Sequence, residues 1–370
     1  MKTKKIVEEL AKTYRQESTN ENYSNTFLRY REEEEDIPAI FLKQIGSPSV
    51  VDSIASGTEM AIHHCQQLFQ WEKWSCPKLV FSKQQRFPPT PEIAYTKAIV
   101  AAGITYSLTR NCSKGQIEGC GCDKTDKNQI NLGAEEFKNV HIRKFQRNSY
   151  PSHKNVTKQV WGGCSDDTTF SSRITEKVLE SLDKGLDAHA YVARHNFKVG
   201  IEVIKHTMVK KCRCHGISGS CSLQTCWMQV APFGEISKKL KDLHKKSIRV
   251  THEDVQNSIV MGNSAREESV EEKEIPGTRN SLIYMEQSPD YCLPNPSEGY
   301  MGTKGRMCSR NKANVTRLEK NSCKNLCKKC GHRVKRLQKK VTRRCNCTFT
   351  WCCEVKCDTC VETVNEYFCV

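Results

Sequence analysis

Residues 212–227 read CRCHGISGSCSLQTCW, and the reading of the whole chain turns on this stretch. Four cysteines surround a short loop of glycine and serine. Two nested bridges, Cys212 with Cys226 and Cys214 with Cys221, would close a hairpin whose tip is His215, Gly216, Ile217, Ser218, Gly219 and Ser220. Gly216 and Gly219 suit the positive φ angles of a tight tip, because glycine has no Cβ to clash there. A loop crosslinked at its base cannot collapse onto a core. The Ser220 hydroxyl is therefore expected to stand on a stiff stalk, within reach of a modifying enzyme. The competing reading is that Ser218 and Ser220 are ordinary turn residues.

Working outward, the chain has 22 cysteines in 370 residues, an even number at close spacings. That usage fits a disulfide framework formed in an oxidising compartment. Beyond the four of the hairpin, the expected bridge formers are Cys65, Cys76, Cys112, Cys120, Cys122, Cys164, Cys292, Cys308, Cys323, Cys327, Cys330, Cys345, Cys347, Cys352, Cys353, Cys357, Cys360 and Cys369. Zinc is the rival explanation for the last third, where Cys323-x3-Cys327-x2-Cys330, Cys345-x-Cys347 and Cys357-x2-Cys360 resemble ligand knuckles. Only His332 joins those clusters at ligand spacing, and the adjacent Cys352-Cys353 suits crosslinking better than a tetrahedral site. No metal is expected.

The amino terminus, MKTKKIVEELAK, is highly charged and has no uninterrupted apolar run of seven residues, so it carries no readable export signal. Residues 1–36 read as a polar tail. No run approaches the ~20 apolar residues that a spanning helix needs. Membrane attachment would have to come from a lipid or from surface binding. Five sequons, at Asn22, Asn111, Asn155, Asn314 and Asn346, are candidate glycosylation sites compatible with the secretory pathway. Those at Asn111 and Asn346 have cysteine in the middle, where a glycan would compete with disulfide closure.

Three apolar stripes predict a helical domain over 37–251. Val51, Ile54, Thr58, Ile62, Cys65 and Leu68 form the first. The second begins at the cap Thr90 with Pro91 behind it and runs through Ile93, Val100, Ile104 and Leu108. Ile174, Val178, Leu182, Leu186, Ala190, Ala193, Phe197, Ile201, Ile204 and Met208 are long enough for two helices leading into the cysteine hairpin. The basic, aperiodic stretch at about 123–160 reads as a surface insertion. Charged residues over 252–280 predict a linker. Residues 281–370 hold twelve of the 22 cysteines and no helix-length stripe, which predicts a small β-hairpin domain stabilised by bridges. The fold class expected is α+β, disulfide-rich and in two domains.

Two further features of the last ninety residues carry chemistry. Thr348-Phe349-Thr350-Trp351 lies between Cys347 and Cys352-Cys353, with Val355 following. Large aromatics at a crosslinked tip are either the inner face of a strand or a rigid anchor for a partner's pocket. Between Lys304 and Arg344 the only acid is Glu319, and Lys328, Lys329, Arg333, Lys335, Arg336, Lys339, Lys340, Arg343 and Arg344 account for much of the formal charge of +16. Such density attracts polyanions. No interleaved aromatics support base stacking, so heparan sulfate is the expected partner rather than nucleic acid.

The motif CHGISGSCSLQTCW resembles the signature of the Wnt family of secreted signalling ligands. The likeness continues in FQWEKWSCP (69–77), LTRNCS (108–113), GCGCD (119–123), WGGCSD (161–166), SPDYC and CNCTFTWCCEVKCDTC. It spans nearly all of the chain from about residue 40, and its last third is most similar to the Wnt-8-like subfamily. The resemblance implies that Ser220 is esterified with a monounsaturated sixteen-carbon chain by the acyltransferase Porcupine and that the carrier Wntless exports the product. It further implies that two fingers, the serine hairpin and the loop of Phe349, Trp351, Cys352 and Val355, grip the cysteine-rich domain of Frizzled receptors. An LDL-receptor-related co-receptor is also implied, without residues to assign to it. The rival class is a hydrolase with His215 or His189 activating Ser220 or Ser218. A small loop lacking an orienting carboxylate and an oxyanion pocket disfavours it, and GISGS is not the G-x-S-x-G nucleophile elbow. The chain is read as a ligand, not an enzyme.

Overall fold

The computed structural model describes residues 47–81, 87–123, 158–181, 185, 187–221, 223–261, 270–311 and 315–370. Helix α1 spans Pro48–Phe69 and α2 spans Pro91–Ser113. Thr90 Oγ1 accepts the N–H of Ile93 at 3.4 Å and Pro91 opens the helix, so α2 starts where the cap and proline predict. The chain divides into two compact units, one of residues 1–61 and 97–283, the other of 62–96 and 284–370. This discontinuous division differs from a boundary between 280 and 281, because the unit holding the C terminus also takes 62–96.

In the first unit, α3 (Thr169–Glu180) and α4 (Ala188–His206) supply the expected third stripe, and Ile174, Val178, Ala190, Ala193, Phe197, Ile201 and Ile204 are buried. Leu182 and Leu186 lie outside the described residues. Ile54, Ile104, Leu108, Ile174, Phe197 and Ile201 share one core. The α1 face is rotated from the predicted stripe. Val50, Ile54, Ala61 and Cys65 are buried, whereas Val51, Thr58, Ile62 and Leu68 are only half-buried. The cause is a glycine contact, since a Cβ on Gly57 would lie 2.4 Å from the Gly103 carbonyl oxygen. A glycine at a helix crossing contributes nothing to an apolar count, so the pattern misplaces the centre of the face. Ile93 and Val100 of α2 are likewise half-buried, while Ala98, Ile99, Ala101 and Ala102 are fully buried, which makes α2 the central helix of small residues.

The first unit also holds a sheet of three strands, β1 (Lys158–Trp161), which precedes α3, and β2 (Val209–Cys214) and β3 (Leu223–Gln229), which follow α4, in the order β1-β3-β2. β1 runs parallel to β3 and β2 antiparallel to it. Then come α5 (Phe233–Lys245), β4 (Ile248–Arg249), α6 (His252–Ser258) and the pair β5 (Ile259–Met261) and β6 (Val270–Glu272). Residues 252–280, expected as a linker, thus contain regular structure. A reciprocal cap between Thr251 and Asp254 starts α6, and Val255 is fully buried. A helix of two turns needs only one or two apolar residues to anchor it, too few for a stripe.

In the second unit Phe69 packs edge-on against Trp74 and Tyr95, at 4.8 and 5.0 Å between ring centres. Buried Glu92 accepts hydrogen bonds from Ser288 Oγ and Tyr291 Oη, so the SPDYC segment is tied to the start of α2. After β7 (Ile283–Tyr284) and β8 (Met307–Cys308), two long strands, β9 (Val334–Thr350) and β10 (Glu354–Cys369), form a hairpin, with β8 against the end of β10. Its base rests on a small core of Cys308, Cys323, Leu326, Cys327 and Cys369. The hairpin is mostly exposed on both faces, and bridges rather than apolar burial hold it.

Candidate functional site

The antiparallel register pairs Cys212 with Cys226 directly, and both bridges expected of the first hairpin are present, Cys212–Cys226 and Cys214–Cys221. The tip is a short 3-10 turn, Ile217–Gly219. Gly216 N–H donates to the Ser220 carbonyl at 2.8 Å, and the N–H of Ser220 returns to Ile217 O at 3.1 Å. The positive φ angles belong to Ser218 (58°) and Gly219 (75°), not to Gly216, which is extended. His215, Ile217, Ser218, Gly219 and Ser220 are exposed, with Ile217 at 92%. A serine on a crosslinked, water-exposed turn is chemically an acceptor. No Asp or Glu occurs between residues 209 and 229 to orient His215 as a base.

The foot of this hairpin is held by a residue quoted above only as part of WGGCSD. Asp166, buried, accepts the Val230 N–H at 2.8 Å and pairs with Arg110 at 3.2 Å. Ser113 Oγ donates to the same carboxylate. The signal available in the sequence was an acid flanked by Cys164 and a glycine pair, which spacing alone does not connect to α2.

The second hairpin is braced by Cys345–Cys360 and Cys347–Cys357. Phe349 pairs with Val355 across the strands, and Phe349, Trp351 and Val355 are 70%, 93% and 60% exposed. Trp351 and Phe349 therefore do not line the inner face of a strand. Cys352 and Cys353 form the turn with φ of 77° and 81°, exposed and in no bridge. This corrects the expectation that all 22 cysteines pair. The other twenty form ten bridges, adding Cys65–Cys76, Cys112–Cys120, Cys122–Cys164, Cys292–Cys330, Cys308–Cys323 and Cys327–Cys369. Every cysteine of the three zinc-like knuckles is among them.

The basic residues do not form one patch. Lys328 and Lys329 lie in a 3-10 turn, Arg333 pairs through its backbone with Val370, and the other six alternate along β9. Among the sequons, Asn22, Asn155 and Asn314 lie outside the described residues. Asn111 donates from its side-chain amide to Ser53 Oγ at 2.8 Å, and Asn346 is exposed at a strand irregularity.

The wnt family pattern matches residues 44–370. The chain belongs to the Wnt family. Wnt-8a of Homo sapiens is 39% identical over 321 residues, covering 86% of this chain and 84% of the relative. Wnt-8 of Xenopus laevis is 37% identical, covering 86% and 82%. Among solved structures, human WLS in complex with WNT8A matches with a TM-score of 0.60 and 34% identity, covering 90% of this chain and 96% of that one. This Wnt is accordingly a secreted signalling ligand of Frizzled receptors that acts in development, and its class is a ligand class rather than an enzyme class. Among the described residues no helix is long and apolar enough to cross a membrane.

Proposed function

We propose that Ser220 carries the acyl chain of this ligand and that the two hairpin tips are its receptor contacts. The observation that carries the reading is the Ser220 turn, exposed and fixed at its base by two bridges. Burial of a sixteen-carbon chain is worth about 0.8 kcal/mol per methylene, so about 10 kcal/mol gross before association and ordering costs are subtracted. That makes the acyl chain the dominant contact, with Phe349, Trp351 and Val355 as the second anchor and the vicinal Cys352 beside them. The exposed aromatics support this part of the reading, because a water-facing tryptophan at a rigid tip is costly unless a partner covers it.

An acylated chain needs a carrier, and the solved complex of human WLS with WNT8A supports Wntless in that role, after esterification by Porcupine. Heparan sulfate proteoglycans fit the basic hairpin, and an LDL-receptor-related co-receptor completes the assembly. The test is mass spectrometry of the peptide containing Cys214 to Lys238 from secreted protein. An added C16:1 acyl mass on Ser220 is expected, and Ser220→Ala should abolish binding to the Frizzled cysteine-rich domain without changing the thermal midpoint. Unmodified Ser220 in efficiently secreted, receptor-competent protein would overturn the proposal.

A further inference from the structure

The charge on the second hairpin is sorted by face. β10 carries Glu354, Asp358, Glu362 and Glu366 at intervals of four residues. Successive strand residues point to opposite faces, so all four carboxylates stand on one side. β9 carries its cations in two interleaved series with the same interval, Lys335, Lys339 and Arg343, then Arg336, Lys340 and Arg344. The register places the first series on the carboxylate side, where Lys339 meets Glu366 at 3.6 Å and Arg343 meets Glu362 at 3.7 Å. That face largely neutralises itself.

The second series faces away. Arg336, Lys340 and Arg344 lie opposite Tyr367, Thr363 and Thr359, and the residues between these on that side of β10 are Val361 and Asn365. Arg336 Nε donates to Asn365 Oδ1 at 2.8 Å, a neutral acceptor that leaves the charge uncompensated. Among the described residues no carboxylate pairs with any of these three cations. Arg310 lies over the Tyr367 ring, 4.9 Å from its centre, and extends the row at the base of the hairpin. At the usual strand rise the three β9 cations are about 13 Å apart and span about 27 Å.

We propose that this face, defined by Arg310, Arg336, Lys340 and Arg344, is the binding surface for a sulfated glycosaminoglycan. The assignment rests on the polyanion part of the function proposed above and narrows it to half of the basic residues. A linear polyanion can follow the exposed row and meets no opposing carboxylate, whereas on the other face it would have to displace Glu362 and Glu366. Guanidinium groups add bidentate contacts to oxyanions. Nucleic acid fits less well, because Tyr367 is the one aromatic on this part of the face and Arg310 already covers its ring, leaving no platform for stacked bases.

The test compares two triple variants of the full-length secreted protein that remove the same charge: Arg336→Gln with Lys340→Gln and Arg344→Gln, against Lys335→Gln with Lys339→Gln and Arg343→Gln. Heparin is the probe. The first variant should bind heparin at least about tenfold more weakly at physiological salt, with the slope of log affinity against log salt reduced by about two. The second should change affinity less than about threefold. Equal losses, or the larger loss from the second variant, would overturn the face assignment, and tighter binding of duplex oligonucleotide than of heparin would replace the glycan with nucleic acid. Lys340→Gln alone, with a slope reduced by about one, serves where a triple variant is not secreted. Frizzled binding measured on the same wild-type sample separates the two readings, since heparin discrimination without receptor binding sinks the receptor proposal and leaves this one standing.

Discussion

Asp166 Oδ2 accepts the backbone N–H of Val230 at 2.8 Å, one residue beyond the end of β3. Arg110 and Ser113, both in the last turns of α2, bond the same carboxylate, so the foot of the serine hairpin is fixed to the central helix. Removing one partner from a buried ion pair typically costs about 3–5 kcal/mol, because the other groups are left unpaired. Asp166→Ala should lower stability by that order, read as a shift in the urea midpoint, and Asp166→Asn by less. An unchanged midpoint for Asp166→Ala would mean the network contributes nothing.

Gly57 and Gly103 bring the backbones of α1 and α2 into contact. The Cβ that either lacks would sit 2.4 Å from the other's carbonyl oxygen, and neither backbone can move without shifting a helix. Gly103→Val should therefore cost at least about 1–3 kcal/mol through overpacking. Secreted yield and thermal midpoint should fall together. Gly121→Ala, where nothing lies within 4 Å of the added carbon, is the matched control and should leave both unchanged.

These two sites also mark the limit of what was legible in the sequence. The first hairpin could be read almost completely, because cysteine spacing fixes a loop locally and Cys212 and Cys226 are partners in a short register. The helix start at Thr90 and Pro91 could be read for the same local reason. The face of α1 could not, since its centre is a glycine whose role exists only against Gly103. Asp166 was hidden because its partners, Arg110 and Val230, are 56 and 64 residues away. The α6 segment was read as a linker since its capping pair, Thr251 and Asp254, is polar and its single buried apolar residue, Val255, makes no stripe. The free pair Cys352 and Cys353 escaped because an even cysteine count carries no information on which members pair.

Acid should destabilise the first unit through two histidines, His195, which is buried, and His244, which is half-buried. Burial pushes His244 down to about 3, with the charges of Lys241 and Lys245 adding to the effect. Burial also lowers His195, although its Nε2 lies 3.0 Å from the Ser281 carbonyl oxygen. Each takes up a proton less readily when folded than when unfolded, where it does so near pH 6.5. The stability is fully present above that pH and is lost as pH falls, by up to about 1.4 kcal/mol per unit per histidine. Urea midpoints should drop between pH 6.5 and 4, and His244→Gln should flatten that slope. Identical slopes in the variant and the parent would count against it.

The Cys214–Cys221 bridge closes a loop with a sequence separation of only 7, so its chain-entropy contribution is modest, about 2–3 kcal/mol. The neighbouring Cys212–Cys226 bridge would still hold the stalk. The double variant Cys214→Ala with Cys221→Ala is therefore expected to be secreted and folded but to present Ser220 on a loose turn. Acyl occupancy by mass spectrometry should fall while the thermal midpoint moves only a few degrees. Full occupancy would show that the modifying enzyme does not need the rigid tip.

Trp351 offers the cleanest separation of binding from folding. Its side chain is 93% exposed, so truncation removes almost no buried area within the chain, and the thermal midpoint of Trp351→Ala should match the parent. If the indole is buried in a receptor pocket, the same truncation should weaken binding to the Frizzled cysteine-rich domain by about 2 kcal/mol or more, roughly thirtyfold. Phe349→Ala should act in the same direction, and because Phe349 lies across from Val355 the two losses should be less than additive in the double variant. Surface plasmon resonance on acylated protein gives the affinities. A Trp351→Ala protein with parental affinity would leave the acylated hairpin as the sole anchor and remove the second tip from the interface.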